Sequence, residues 1–251
     1  MAAEALESSK AGKRRLPLRG KRVVITRARE RAADLKERLE SLGAEVILFP
    51  SIRIRPVRVR PIRLEGYTHV AFTSRTAVEL FFRNLAGDRR SLKKAVVCAV
   101  GERTAEALRD RGVRPGLVSK EFTSRALARE LCRGGVRGAR VLHPGADKMN
   151  PDFKALLLRC GAEVRNVVLY RIEKAAPRDA RKVEGADWIT FASAQTARNF
   201  IESLRGRALR ARVACIGPVT ARAVREMGLR VDAVPRRYTL EAMVREIARK
   251  A

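Results

Sequence analysis

Glycine, serine and threonine recur in this chain at one kind of place: Thr26, Ser74, Gly101 with Thr104, Gly145, Ser193, and Gly217 with Thr220. Each stands where a short apolar, β-branched run gives way to an apolar stripe at helical spacing. The free N–H groups of a helix start form an anion site without any special side chain. The carboxyl ends of parallel strands, where such junctions lie, are also where open α/β sheets bind ligands. The same residues serve equally as ordinary helix caps, each worth about 1 kcal/mol. Their repetition is what favours a ligand carrying several anionic groups. Other chemistries lack their residues. No catalytic triad or paired-carboxylate site stands out, GlyGluArgThr and GlyProValThr lack the spacing of a phosphate-cradling loop, and no Gly-x-Gly-x-x-Gly follows a strand. His69 and His143 are isolated, and the four cysteines include no Cys-x-x-Cys pair. No metal site and no cofactor are therefore expected.

The elements that must position these residues follow one grammar. LysArgValValIleThr, followed by Leu35, Leu39 and Leu42, reads as a strand and then an amphipathic helix. Gly43 suits the helix end, and AlaGluValIleLeuPhePro reads as the next strand. The pattern returns at TyrThrHisValAlaPhe, LysAlaValValCysAlaVal, GlyAlaArgValLeu, AspTrpIleThrPhe and ArgValAlaCysIle. Repeated βα units predict an α/β fold with parallel sheets flanked by helices, and the near-continuous apolar strands fit sheets covered on both faces. One segment departs. SerIleArgIleArgProValArgValArgPro at 51–61 alternates with period two and carries its basic residues on one side, which predicts a half-exposed ribbon.

The chain repeats itself. Arg22-ValValIleThrArg, ending in LeuGlyAlaGluVal, returns as Arg140-ValLeuHisProGly, ending in CysGlyAlaGluVal (140 − 22 = 118). The block starting at Phe72 matches the one at Phe191 (191 − 72 = 119), Val100 matches Ile216, and Phe122 matches Tyr238 (each 116 apart). Ordered blocks at nearly constant offsets imply two homologous halves. The counterpart of the 51–61 ribbon is ValValLeuTyrArgIleGluLys at 167–174, with Ile52 matching Tyr170. Two such stretches pair naturally as a two-stranded antiparallel ladder. The expected organisation is a disordered basic lead-in over 1–19, a discontinuous lobe one over 20–51 and 175–251, a linker ladder of 52–61 with 167–174, and lobe two over 62–166.

Composition narrows the partners. The 251 residues carry 55 Lys and Arg against 27 acids, a net charge of +28, which favours an anionic partner through long-range steering. The basic residues are dispersed rather than blocked, and aromatics make up only 5%, too few for the stacking platforms of a nucleic-acid binder. Nucleic acid and a polycarboxylate metabolite are both candidate partners, much of the excess can be solvated surface, and charge alone decides nothing. No apolar run approaches the roughly 20 residues of a membrane span, and the N-terminus has no apolar secretory core, so a cytoplasmic location is expected. Cys98, Cys132, Cys160 and Cys215 read as four reduced structural thiols in that compartment.

Taken in order, the blocks ValIleThrArg, LeuGlyAlaGluVal, PheThrSer-x-x-AlaVal, AlaValGly-x-x-ThrAla, LeuTyrArg and IleGlyProValThrAla resemble the uroporphyrinogen-III synthase family, from about Lys21 to Ile247. The resemblance implies two similar α/β lobes joined by the ladder, with the active site in the cleft between them. It implies a monomeric, cofactor-free hydro-lyase acting on hydroxymethylbilane, a linear tetrapyrrole with eight carboxylates. By match, Tyr170 takes the family's cleft-facing tyrosine position, with its phenol assisting departure of the hydroxyl. Thr104 and Thr220, and Ser74 and Ser193, match positions expected to hold carboxylates, and Arg27 and Arg75 are electrostatic partners. His143 departs from the family, which more often carries an arginine-containing strand end there, and no catalytic role is assigned to it. Two rivals stay open: a basic nucleic-acid-binding module, and a two-lobed paralogue without turnover.

Overall fold

A computed structural model describes residues 16–87, 89–121, 123–175 and 179–251. The chain divides into two compact units: unit 1 comprises residues up to Arg53 together with Lys174–Ala251, and unit 2 comprises Ile54–Glu173. The chain therefore crosses between units twice, at 53/54 and 173/174.

In unit 1, strands β1 (Arg22–Ile25) and β2 (Glu45–Leu48) flank helix α1 (Ala33–Glu40). The return of the chain adds β9 (Trp188–Phe191), α6 (Ala194–Ser203), β10 (Arg212–Cys215), α7 (Pro218–Glu226) and α8 (Leu240–Lys250). The sheet order is β10-β9-β1-β2, all parallel. Helices cover both faces: Leu35, Leu39, Met243 and Ile247 pack on one side, and Phe49, Phe191, Phe200 and Val224 on the other. This is why the strands read as unbroken apolar runs.

In unit 2, β4 (His69–Phe72), α2 (Arg75–Asn84), β5 (Val96–Val100), α3 (Glu102–Arg109), β6 (Leu117–Ser119) and α4 (Ser124–Arg133) precede β7 (Arg140–Ala146), α5 (Pro151–Arg159) and β8 (Glu163–Lys174). With β3 (Ile52–Pro56) at the edge, the six-stranded order is β3-β8-β7-β4-β5-β6.

The strand registers carry the sequence offsets into three dimensions. Arg22 pairs with Glu45 and Arg140 with Glu163, both partners shifted by 118. Trp188 pairs with Val23 and with Arg212 in unit 1, as His69 pairs with Val141 and with Val96 in unit 2. Cys98 pairs with Leu117, and 116 residues on, Ala214 bridges to Ala233. Positive φ at Gly43 and Gly161, again 118 apart, lets the chain turn from helix into β2 and β8 alike. A backbone latch also recurs. Asp187 N–H donates to Arg22 O (2.9 Å) and its carboxylate accepts from Arg22 N–H (2.8 Å); Thr68 N–H donates to Arg140 O (3.0 Å) and its hydroxyl accepts from Arg140 N–H (3.1 Å).

Several sequence-based expectations need correction. Residues 1–15 of the expected lead-in lie outside the described residues, but Leu18 does not belong to a loose tail. Its side chain is fully buried in unit 1 and its N–H donates to Leu42 O (2.9 Å), because an apolar residue there fills the end of the α1 core. The ladder is not a free-standing linker. Its second strand is the far end of β8, which begins at Glu163 inside the sheet. The bonds Val57 N–H to Leu169 O and Ala175 N–H to Ser51 O run in the antiparallel sense expected. Strand β3 stops at Pro56, short of the ribbon anticipated to 61. Finally, Cys132 and Cys160 form a disulfide, with Cα atoms 5.8 Å apart. They end α4 and α5, two helices that pack on the same face of the sheet. Cys98 and Cys215 are buried free thiols, pushed up to about 12 by desolvation.

Candidate active site

Parallel strands deliver their last residues to one edge of the sheet, and in unit 2 that edge holds a pocket of about 250 Å³. It is lined by Thr73 and Ser74 after β4, Val100 at the end of β5, Ser124 at the start of α4, His143 and Ala146 on β7, the Lys148–Asn150 turn, Phe153, and Tyr170 on β8. The volume falls below that of a drug-sized ligand site; it accommodates one arm or end of a larger molecule.

Ser74 is the N-cap of α2, its Oγ accepting the Ala77 N–H at 3.0 Å. The same Oγ lies 2.9 Å from the Tyr170 phenol oxygen. Tyr170 is 6% exposed, its ring buried in the unit 2 core and its hydroxyl delivered to the pocket. Ser74 Oγ thus accepts the Ala77 amide and shares a hydrogen bond with the Tyr170 phenol, in which either hydroxyl can be the donor. Hydroxyl chains of this kind polarise one another. Beside them, Thr73 Oγ1 lies 3.1 Å from His143 Nε2, and His143 Nδ1 lies 2.8 Å from Asn166 Oδ1. Burial holds His143 below its ordinary pKa, opposed by the hydrogen bond to Asn166.

The structure thus brings together two of the residues singled out from sequence, Ser74 and Tyr170. The others stand apart from this pocket. Gly101 caps α3 at φ +72°, and Thr104 is buried one turn later. Arg75 points along α2 to pair with Glu79 at 3.1 Å. Gly145 is buried, and a side chain there would meet the His143 ring at 2.7 Å. In unit 1, Ser193 caps α6 through a capping box with Thr196, Gly217 precedes α7 in extended conformation, and Thr220 is buried within that helix. Thr26 is fully buried and its hydroxyl is committed to Thr190 O at 2.7 Å, an inter-strand bond answered by Thr190 Oγ1 to Val24 O at 2.9 Å. Arg27 follows it, half-buried. Sequence reasoning missed Thr73, Asn166 and Lys148. Thr73 and Asn166 gave no signal because their role is set by a neighbour on another strand.

Two larger grooves, of about 710 and 680 Å³, open at the amino ends of the strands. The first is lined by Arg60, Arg63, Arg140 and Arg165, the second by Arg210, Arg212, Arg230 and Lys250, and neither gathers a serine or threonine.

The family model for uroporphyrinogen-III synthase HemD matches residues 33–245. The chain belongs to the uroporphyrinogen-III synthase family. It is 27% identical over 241 residues to a uroporphyrinogen-III synthase of Chlorobaculum parvum, covering 91% of this chain and 98% of that one. It is 28% identical over 250 residues to a putative uroporphyrinogen-III synthase of Methanothermobacter thermautotrophicus, covering 90% and 97%. Among solved structures, a Helicobacter pylori uroporphyrinogen-III synthetase superposes with a TM-score of 0.66 at 15% identity, over 92% of this chain and all of that one. A Thermus thermophilus uroporphyrinogen III synthase mutant gives 0.63 at 22%, over 91% and 98%. These structural likenesses speak for the two-sheet α/β fold. Among the described residues no helix is long and apolar enough to cross a membrane.

Proposed function

We infer that this chain is a working uroporphyrinogen-III synthase, closing hydroxymethylbilane to uroporphyrinogen III with loss of water and inversion of ring D. The observation that carries the reading is the contact of Ser74 Oγ with Tyr170 OH in the unit 2 pocket, in a chain of this family. A paralogue without turnover has no need of a buried phenol oriented by a cap serine.

The reaction asks little of side-chain chemistry. Loss of the terminal hydroxyl leaves an azafulvene stabilised by its own pyrrole nitrogen; attack at the substituted carbon of ring D forms a spiro intermediate, and fragmentation and reclosure invert that ring. Tyr170 donates its phenol proton to the hydroxyl, which leaves as water, while Ser74 Oγ–H hydrogen-bonds the phenolate; the proton released when the reclosed ring D pyrrole regains aromaticity returns to Tyr170. The protein otherwise holds a flexible chain in one productive curl, which is catalysis by orientation. Carboxylate arms are taken by the strand–helix junctions: Ser74, Gly101, Thr104 and Gly145 in unit 2, and Ser193, Gly217 and Thr220 in unit 1. Thr26, expected among them, takes none: it is fully buried, its Oγ1 is committed to Thr190 O and its carbonyl accepts the Ser51 N–H. Arg27, Arg75 and the pocket residue Lys148 add positive potential, consistent with the net charge of +28. We further propose a cytoplasmic monomer whose two lobes are those expected from the repeat.

The test is direct. Hydroxymethylbilane is supplied and the uroporphyrinogen isomer identified against a no-protein control, in which the substrate closes to the non-inverted isomer. Excess isomer III is expected; an isomer pattern identical to the control removes the reading.

A further inference from the structure

Asn166, the fourth residue of β8, His143, the fourth of β7, and Thr73, just past the end of β4, lie side by side across three neighbouring strands. His143 and Asn166 are register partners, and Thr73 directly follows β4, the next strand over. Asn166 Nδ2 donates to Ala146 O at 3.3 Å. A carbonyl can only accept, so the amide nitrogen faces Ala146 and the amide oxygen faces His143. His143 Nδ1 therefore carries the proton and donates to Asn166 Oδ1 at 2.8 Å, and Nε2 is the bare acceptor for the Thr73 hydroxyl at 3.1 Å. Each polar atom of the ring has one partner, as a side chain 3% exposed requires. The ring is held further by Phe153, at 5.0 Å between centroids, and by the missing side chain of Gly145, whose place the ring occupies. Gly145 has no left-handed φ to explain it; it is glycine because His143 is there.

The repeat supplies an internal control. At offsets of 118, 118 and 119, the residues of unit 1 that correspond to His143, Asn166 and Thr73 are Ile25, Leu48 and Ala192. Unit 1 builds the same sheet, in the same register, with an apolar trio. The polar trio, buried at His143 and half-buried at Asn166 and Thr73, is thus not needed to make the fold, and it stands only in the unit that carries Tyr170. Thr73 is joined by one peptide bond to Ser74, whose Oγ touches the phenol. We propose that His143, in its Nδ1–H tautomer, is a positioning residue for this reaction. By holding the Thr73 hydroxyl it fixes the β4–α2 turn, and so sets Ser74 against Tyr170. The inference rests on the functional reading above, with Tyr170 as the proton donor.

The experiment transplants the unit 1 trio into unit 2: His143→Ile, Asn166→Leu and Thr73→Ala together, with Thr73→Val alone as the minimal variant. The expected result is a folded triple variant whose kcat falls by up to about 100-fold, with KM little changed. Thr73→Val should show the same kind of loss, and adding it to His143→Ile should cost less than the product of the two single effects. Wild-type kcat in the triple variant, or fully multiplicative single effects, would overturn the proposal. A ring ¹⁵N spectrum of the wild-type protein tests the clamp even if the triple variant does not fold. It should show Nδ1 protonated and Nε2 bare, and the opposite tautomer overturns the assignment. If the wild-type protein forms no isomer III, the functional reading fails by itself. The clamp is then judged by the tautomer and by whether Thr73→Val shifts the Ser74 amide and Tyr170 ring resonances; unmoved resonances sink it.

Discussion

Replacing Tyr170 by phenylalanine separates chemistry from packing, because the structure assigns the ring and the hydroxyl to different tasks. The ring is buried in the unit 2 core and survives the change. The hydroxyl makes the 2.9 Å contact with Ser74 Oγ, whose oxygen stays satisfied by the Ala77 N–H. The stability cost is then one net hydrogen bond, about 0.5–1.5 kcal/mol. A positioned proton donor is worth about 10²–10⁴ in rate, or roughly 3–5.5 kcal/mol of barrier. The two effects differ enough to be read apart. The assay follows conversion of hydroxymethylbilane anaerobically, resolves isomers I and III after oxidation, and measures the urea midpoint of the same samples. Tyr170→Phe should lower kcat at least about 100-fold, enrich the non-inverted isomer as spontaneous closure overtakes the enzyme, and barely move the midpoint. A kcat within about twofold of wild type would refute the assignment of the phenol. Tyr170→Ala would not serve, since truncating a buried aromatic costs about 3–5 kcal/mol in packing alone.

Three further expectations concern stability. Asp187 pins Arg22 N–H at the start of β1 and pairs with Lys21 at 3.2 Å; burial raises its pKa, but these partners outweigh burial and hold it below the ordinary carboxylate range. A carboxyl depressed in the folded state contributes stability above its unfolded pKa and loses it as pH falls through the folded value. Asp187→Ala should therefore cost about 1.5 kcal/mol near neutral pH and progressively less as pH falls through the lowered folded-state value, as urea titrations at several pH values will show; a pH-independent cost would be the contrary outcome. The disulfide between Cys132 and Cys160 spans 28 residues, so replacing both cysteines by serine should lower stability by about 3.5 kcal/mol on the chain-entropy estimate, and a dithiothreitol-insensitive wild-type unfolding midpoint would argue that the bridge does not form. Asn199, buried on α6, donates to Ser51 O at 3.1 Å, the same carbonyl that accepts Ala175 N–H at the return crossing. Asn199→Ala should cost about 1–2 kcal/mol and speed exchange of the Ala175 amide; unchanged exchange would show that the crossing is held elsewhere.

What was legible in the sequence was what depends on local pattern. Alternating apolar runs and helical stripes, with Gly43 and Gly161 at matching turns, sufficed to place the parallel strands, and the offsets of 116–119 reappear as strand registers. Ser74 was legible because a cap serine after PheThr stands at a strand end, and Tyr170 because LeuTyrArg belongs to a family. Illegible features arise from side-by-side placement. Cys132 and Cys160 meet only because α4 and α5 pack together. The end of β8 as sheet rather than linker depends on β7 beside it. Thr26 looks like Ser74 in sequence, yet its hydroxyl faces a neighbouring strand and is spent on Thr190 O.

The duplication is most informative where it fails. Two sheets of one register share their requirements for packing, turns and caps, so residues that serve those requirements recur in kind: Ser74 and Ser193 as caps, Thr123 and Thr239 as caps, Arg22 with Glu45 and Arg140 with Glu163 as paired charges. A residue proposed to act at the single reacting centre, unlike the repeated junctions proposed to hold carboxylates, need not recur. Tyr170 corresponds to Ile52, and His143, Asn166 and Thr73 to Ile25, Leu48 and Ala192. Burying a polar group is costly unless every partner is present, yet unit 2 buries His143 beside half-buried Asn166 and Thr73 where unit 1 has apolar residues. On the proposed function, this asymmetry marks the reacting side of unit 2, beside the Tyr170 phenol, as the symmetry between the units marks the scaffold.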